Sequence, residues 1–161
     1  MAADLERWEL PAGVDLITAN AALQWVDDLP ALLRRFHAAL APGGELAFAT
    51  FGPETLRELR PLGGGGLTYH PLAELRALLT DAGLAVNCAE SEMRTVEFAS
   101  PLEILRHLRA TGVGAPGAGS GMWTRKRVAE LGELCARPGG GWQLTYQPLW
   151  LAAEKTRESK S

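Results

Sequence analysis

Three groups of side chains in this chain have types and spacing that can do chemistry. The first is Asn20 with Gln24 and Trp25, just past a short apolar run at Val14–Ala19. A carboxamide offers both a donor and an acceptor, so Asn20 can hold an amino or carboxylate group. Gln24 adds a second amide and Trp25 a flat wall. The same residues also read as an Asn that closes a strand and a Trp that fills a core. The second group is Arg106 and Arg109, three positions apart and so on one helix face, with His107 beside them. Two guanidinium groups there can clamp a carboxylate, or simply face water. The third is Arg125, Lys126 and Arg127, at the start of a helix that Thr124 would cap. Cations at a helix N-terminus oppose its dipole. That conflict points towards an acidic partner surface, against the plainer reading of a charged helix start. Asp4 is a further candidate: its carboxylate can accept a hydrogen bond from an adenine amino group, or it is a solvated loop acid.

Other chemistries find no support. No Ser-His-Asp or Cys-His arrangement can be argued, so no catalytic residue is assigned. His37, His70 and His107 are scattered, and no Cys/His cluster has metal-ligand spacing. Cys88 and Cys135 are isolated and are expected to be reduced thiols, as in the cytoplasm.

Elements must position these groups. The 161 residues are 47% hydrophobic and 22% charged, which suits one ordinary globular domain. The net charge of −3 argues against a nucleic-acid binder with a basic surface. No apolar run reaches a membrane span, and MAADLERWEL, with no basic n-region and no apolar h-region, does not read as a signal peptide. Val14–Ala19 predicts a buried parallel strand, covered on both faces. Leu29, Leu32, Leu33, Phe36 and Leu40 recur at helical spacing after Asp28, a predicted N-cap, with Pro30 in the first turn. Pro42-Gly43-Gly44 should stop that helix, and Glu45–Phe51 should form a second strand. Strand, helix and strand make one right-handed βαβ unit. Ligands of open α/β sheets bind beyond the carboxyl ends of the strands, which is where Asn20 falls.

Further helices are expected at Thr55–Arg60, His70–Ala82, Pro101–Thr111 and Thr124–Ala136. Four glycines within Pro61–Gly66 fit no phosphate-loop spacing and read as a surface loop, as does Val113–Gly121. Leu84–Ala99 and Trp142–Ala153 read as two late strands that pair antiparallel. Glu154–Ser161 reads as a frayed charged tail.

The segments ITANAALQWVDDL and LAPGGELAFATFGPETLRELR, with SPLEILRHLRATGVGA, MWTRKRVAEL and GWQLTYQPLWLAAEK, resemble the malonyl-[acyl-carrier-protein] O-methyltransferases of biotin synthesis. These are class I S-adenosylmethionine (SAM) methyltransferases. TLRELR and LTY are the more specific signals. The Leu-Gln-Trp and Pro-Gly-Gly patterns are shared with other small-molecule methyltransferases, such as those acting on trans-aconitate.

The resemblance implies an α/β fold: the carboxy-terminal portion of a Rossmann-like sheet, with parallel strands, flanking helices and a terminal antiparallel pair. It implies SAM as cofactor and the free carboxylate of malonyl-acyl carrier protein or malonyl-CoA as acceptor. By position, Asp4 would meet the adenine, and Asn20, Ala21 and Ala22 would line the methionine side. Gln24 and Trp25 would border the substrate. Arg106 or Arg109 would hold the malonyl carboxylate, and Arg125, Lys126 and Arg127 would meet the carrier protein. Methyl transfer to an ionised oxygen needs alignment and exclusion of water rather than a strong base. The family's amino-terminal glycine loop is not in this sequence. The chain is therefore expected to be a partial domain, inactive alone, with an exposed strand edge that favours a homodimer. A non-catalytic domain that binds a carrier protein or partner subunit is the rival from another class.

Overall fold

The computed structural model describes residues 5, 8–62, 69–111 and 124–157. They form two compact units, one of 1–52, 69–92 and 148–161, the other of 53–68 and 93–147. The expected loops at 63–66 and 113–121, and residues 158–161 of the tail, lie outside the described residues.

The first unit is built on a four-stranded mixed sheet. Strand β1 (Val14–Asn20) leads through α1 (Leu29–Ala39) into β2 (Leu40–Phe51), and the two strands pair in parallel. Helix α2 (Leu72–Asp81) precedes β3 (Leu84–Ser91), and β6 (Pro148–Lys155) closes the sheet in the order β1-β2-β6-β3. β6 runs antiparallel to both β2 and β3.

Helix α1 begins as its sequence dictates. The Asp28 carboxylate accepts the Ala31 N–H at 2.9 Å, with Pro30 in the first turn. Its apolar stripe buries Leu29, Leu32, Leu33 and Phe36 against Leu46 and Phe48 of β2. Each such side chain contributes about 1.5–3 kcal/mol of transfer free energy. From α2, Leu75 and Leu79 join the same core, and from β6 Leu149, Leu151 and Ala153.

Two expectations for this unit are corrected. β1 is not covered on both faces. Among the described residues it has β2 as its one neighbour in the sheet, and Leu16 is 56% exposed while Asp15, Thr18 and Asn20 face solvent. Pro42-Gly43-Gly44 does not stop the helix, which ends at Ala39. These residues lie within β2 and are absorbed by a register shift from the pair Val14–Leu40 to the pair Leu16–Glu45. Gly43 has φ +83°, and a Cβ on Gly44 would stand 2.9 Å from the carbonyl oxygens of Ala41 and Val14. Only glycine fits such an irregularity.

The second unit holds a two-stranded antiparallel sheet, β4 (Arg94–Phe98) with β5 (Trp142–Tyr146), together with α3 (Pro101–Ala110) and α4 (Arg125–Cys135). Helix α3 opens with Ser100 Oγ accepting the Glu103 N–H, while the Glu103 carboxylate accepts the Ala99 N–H at 3.0 Å. The pattern is close to a capping box, except that Glu103 takes the N–H of Ala99, the residue before the cap, rather than that of Ser100 itself. Thr124 caps α4 in the expected way, accepting the Arg127 N–H. The core gathers Ile104, Leu105 and Leu108 of α3 with Leu131 and Cys135 of α4 and Leu144 of β5. The short helical piece expected at Thr55–Arg60 is a 3-10 helix at Arg57–Leu62, with Pro61 inside it. Proline has no N–H to donate to an i−4 carbonyl.

The two late apolar runs are also reassigned. Each divides into two strands that serve different sheets, breaking at Glu92–Met93 and at Gln147. The expected antiparallel pairing is present twice, as β3–β6 and as β4–β5. Glu154 and Lys155 belong to β6, and the Lys155 ammonium donates to the Leu40 carbonyl at 2.8 Å.

Candidate functional site

The carboxyl ends of β1 and β2 carry the first candidate site. Asn20 is the last residue of β1, in register with Ala49 of β2. It is exposed, and its side chain has no hydrogen bond among the described residues. The chain then turns sharply. Ala21 has φ +50°, a left-handed conformation that costs a non-glycine residue of order 1 kcal/mol. It is held there by its N–H, which donates to the Ala49 carbonyl at 2.9 Å. A 3-10 turn at Leu23–Trp25 follows, anchored by the buried Leu23.

Gln24 fixes this turn. Its Nε2 donates to the Ala21 carbonyl at 2.8 Å, and its Oε1 accepts the hydroxyl of Thr50, a buried residue of β2, at 3.2 Å. Both ends of the amide are thus engaged by the protein, and Gln24 orders the loop that carries Asn20. Trp25 is 53% exposed and so does not fill the core. The result is a strained, pinned corner: one unengaged carboxamide, the small side chains of Ala21 and Ala22, and an exposed indole. These residues fit a small amphipathic ligand with polar ends. Asp4 lies outside the described residues.

The second unit holds the basic candidates. Arg106 and Arg109 are exposed on α3 and have no counter-ion among the described residues. On α4, Arg125 and Lys126 are exposed and Arg127 is half-buried. Lys126 meets Glu130 at 3.9 Å, one turn along, an exposed pair worth little.

Two features escaped the sequence reading. His107 Nε2 lies 2.7 Å from the Tyr146 hydroxyl, and the imidazole ring also packs near Phe98 at 5.2 Å between centroids. Both are half-buried, and the bond ties α3 to β5. Phe98 and His107 stand nine positions apart, and Tyr146 far beyond them, so no local pattern marks the trio. The second feature is an interlock between TLRELR and LTYQ. The Thr145 N–H donates to Glu58 at 3.1 Å, and the Thr145 hydroxyl donates to the same carboxylate. The Gln147 N–H donates to the Thr55 hydroxyl at 3.1 Å, and the Glu54 N–H to the Gln147 side chain at 3.0 Å. Glu54 is itself held below the usual carboxylate range by its bonds to Arg60 and Arg57. Among the described residues no group of three or more His, Cys, Asp or Glu could hold a metal ion, and no helix is long and apolar enough to cross a membrane.

A parallel βαβ unit with an open polar corner at its strand ends is an α/β arrangement, and in open α/β sheets that edge is where ligands bind. The sequence matches a family model described as a methyltransferase domain over residues 3–89, more than half of the chain. The chain belongs to the methyltransferase-domain family. It is 39% identical over 156 residues to a malonyl-[acyl-carrier protein] O-methyltransferase of Bacteroides helcogenes, covering 94% of this chain and 56% of that protein. A protein of the same name from Prosthecochloris aestuarii is 37% identical over 150 residues, covering 91% and 55%. The chain thus spans a little over half the length of these relatives. Among solved structures, a putative methyltransferase from Bacillus halodurans superposes with a TM-score of 0.67 at 11% identity, covering 96% of this chain and 70% of that one. A phosphoethanolamine N-methyltransferase from Haemonchus contortus, solved with S-adenosylhomocysteine, superposes at 0.52 and 14% identity, covering 96% and 36%. Both likenesses bear on the fold: the mixed sheet is that of methyltransferases.

Proposed function

We propose that this chain is part of a SAM-dependent O-methyltransferase that esterifies the free carboxylate of a malonyl thioester on acyl carrier protein, a step of biotin synthesis. The observation that carries the reading is 39% identity over 94% of the chain to a protein of that name. The matched sequence includes the two segments whose side chains interlock, Thr55–Glu58 and Thr145–Gln147.

SAM supplies an electrophilic methyl group. The malonyl carboxylate is already ionised at neutral pH, so it would need no general base from the protein to accept that methyl group. The protein's part is then positioning and exclusion of water. Asn20 is the group to hold the methionine end of the cofactor, beside Ala21 and Ala22, whose small side chains leave room for it. Gln24 keeps that corner in place, Trp25 offers a wall for the substrate, and Asp4 is the adenine partner. Arg125, Lys126 and Arg127 are candidates for contact with the carrier protein. The open edge of β1, with its exposed Leu16, is where a second copy would add a strand to make a homodimer.

The test is methyl transfer from SAM, measured for the chain and for a form extended to the length of its relatives. Malonyl-acyl carrier protein, malonyl-CoA and trans-aconitate serve as acceptors. Transfer to the malonyl thioesters and not to trans-aconitate is expected. Preference for trans-aconitate would overturn the reading.

A further inference from the structure

We propose that the outward face of α3 docks an acidic protein surface, with Leu102, Arg106 and Arg109 as its contact stripe. The identity of the partner as the acyl carrier protein rests on the functional reading above; the stripe itself is argued from charge and exposure.

The net charge of −3 conceals a partition. The second unit carries nine Lys and Arg against six Asp and Glu, whereas the first carries seven against thirteen. A basic unit is therefore joined to an acidic one. Within the basic unit much of the positive charge is already answered. Arg57 and Arg60 bond to Glu54, Arg137 pairs with Glu97, and Lys126 lies near Glu130. Arg106 and Arg109 have no such partner among the described residues.

Helix geometry places these two with Leu102. Helix α3 buries Ile104, Leu105 and Leu108, and positions 102, 106 and 109 stand at i, i+4 and i+7 on another face. Leu102 is 54% exposed. Arg109 gains from the helix dipole near the C-terminus, but the dipole gives no reason to expose Leu102 or to leave Arg106 unanswered. An apolar anchor flanked by guanidinium groups is the chemistry of a protein contact. A nucleic acid would call for more cations and for aromatic stacking, and a membrane surface for a broader apolar face. A pair of exposed guanidinium groups steers and orients an acidic macromolecule.

The experiment measures the binding of fluorescently labelled apo acyl carrier protein, with no malonyl group, to the chain at low salt. The variants are R106E/R109E, L102Q and R34E, the last changing an exposed arginine of the other unit. Circular dichroism and thermal unfolding establish that each is folded. The double variant is expected to bind about tenfold more weakly or worse, L102Q a few-fold more weakly, and R34E like wild type. Equal binding by R106E/R109E would overturn the proposal, as would no carrier binding by wild type. It would also fail if a single-stranded oligonucleotide bound as tightly and was lost in the same variant, or if the substitutions abolished self-association instead. Methyl transfer to malonyl-CoA by the form extended to the length of its relatives tests the functional reading separately. Transfer without carrier binding removes the docking surface and keeps that reading. Carrier binding without transfer does the reverse.

Discussion

The carboxylate of Glu58 accepts both the backbone N–H and the hydroxyl of Thr145, 87 positions further along the chain. Thr145 is only 2% exposed and the Glu58 side chain 11%. The acid thus satisfies two polar groups that water scarcely reaches. Bonds to an ionised acceptor are the stronger kind. The same strand also returns a bond, its Thr145 carbonyl accepting the Leu56 N–H at 2.7 Å.

Removing that acceptor should be costly. Glu58→Ala leaves a buried N–H and hydroxyl unanswered and is expected to lower stability by about 1–3 kcal/mol. Glu58→Gln keeps one acceptor and should lose less. Urea unfolding reads both, and a Glu58→Ala midpoint equal to wild type would show that the interlock contributes nothing.

Cys135 should behave as an inert thiol. Burial, aided by the nearby Glu58 charge, pushes it up to about 12 from an ordinary 9.0. A raised value means that stability is intact below the unfolded-state value and declines as pH rises from there through the folded value. Unfolding midpoints should therefore fall above about pH 9, and Cys135→Ser should flatten that fall. At pH 8 an aromatic disulfide reagent should modify the half-buried Cys88 and spare Cys135 until urea is added. Prompt labelling of both would contradict the burial.

Ala21 stores strain at the candidate ligand corner. Ala21→Gly should keep or raise stability, by up to about 1 kcal/mol, because glycine adopts a positive φ without penalty. Ala21→Val should lower it, since a β-branched residue at positive φ is disfavoured. Thermal unfolding of the pair checks the order, and a more stable valine variant would rule out the left-handed corner.

Asn20 and Gln24 should separate ligand binding from stability. The Asn20 side chain bonds to nothing among the described residues, so Asn20→Ala should leave the unfolding midpoint in place. Its loss should weaken SAM binding by about tenfold, the worth of roughly 1.4 kcal/mol. Gln24→Ala breaks two protein bonds and should lower stability by about 1 kcal/mol as well. Calorimetric titration with SAM on the extended form, beside urea unfolding, reads both. Unchanged SAM affinity in Asn20→Ala would move the cofactor away from β1.

Much of the candidate site was legible because it is local. Asn20, Gln24 and Trp25 lie within five positions, and the strand before them announces a carboxyl end. The amide pinning of Gln24 was not legible, since it depends on Thr50 of the neighbouring strand. The trio of Phe98, His107 and Tyr146 was missed for the same reason, as was the division of each late strand between two sheets. Alternating apolar residues mark a strand without saying where its partner changes.

The sequence alone determined what forms within a turn or two of helix. Asp28 caps α1, Ser100 and Glu103 open α3, Thr124 caps α4, and apolar spacing selects each buried face. These choices are fixed by hydrogen bonds and periodicity across three or four residues. The tertiary structure alone decided the strand order β1-β2-β6-β3, the exposure of β1, the separate β4–β5 pair and the reach of Glu58 to Thr145. Such pairings join residues tens of positions apart. Their register is set by which faces can be buried together, a choice that no single segment contains.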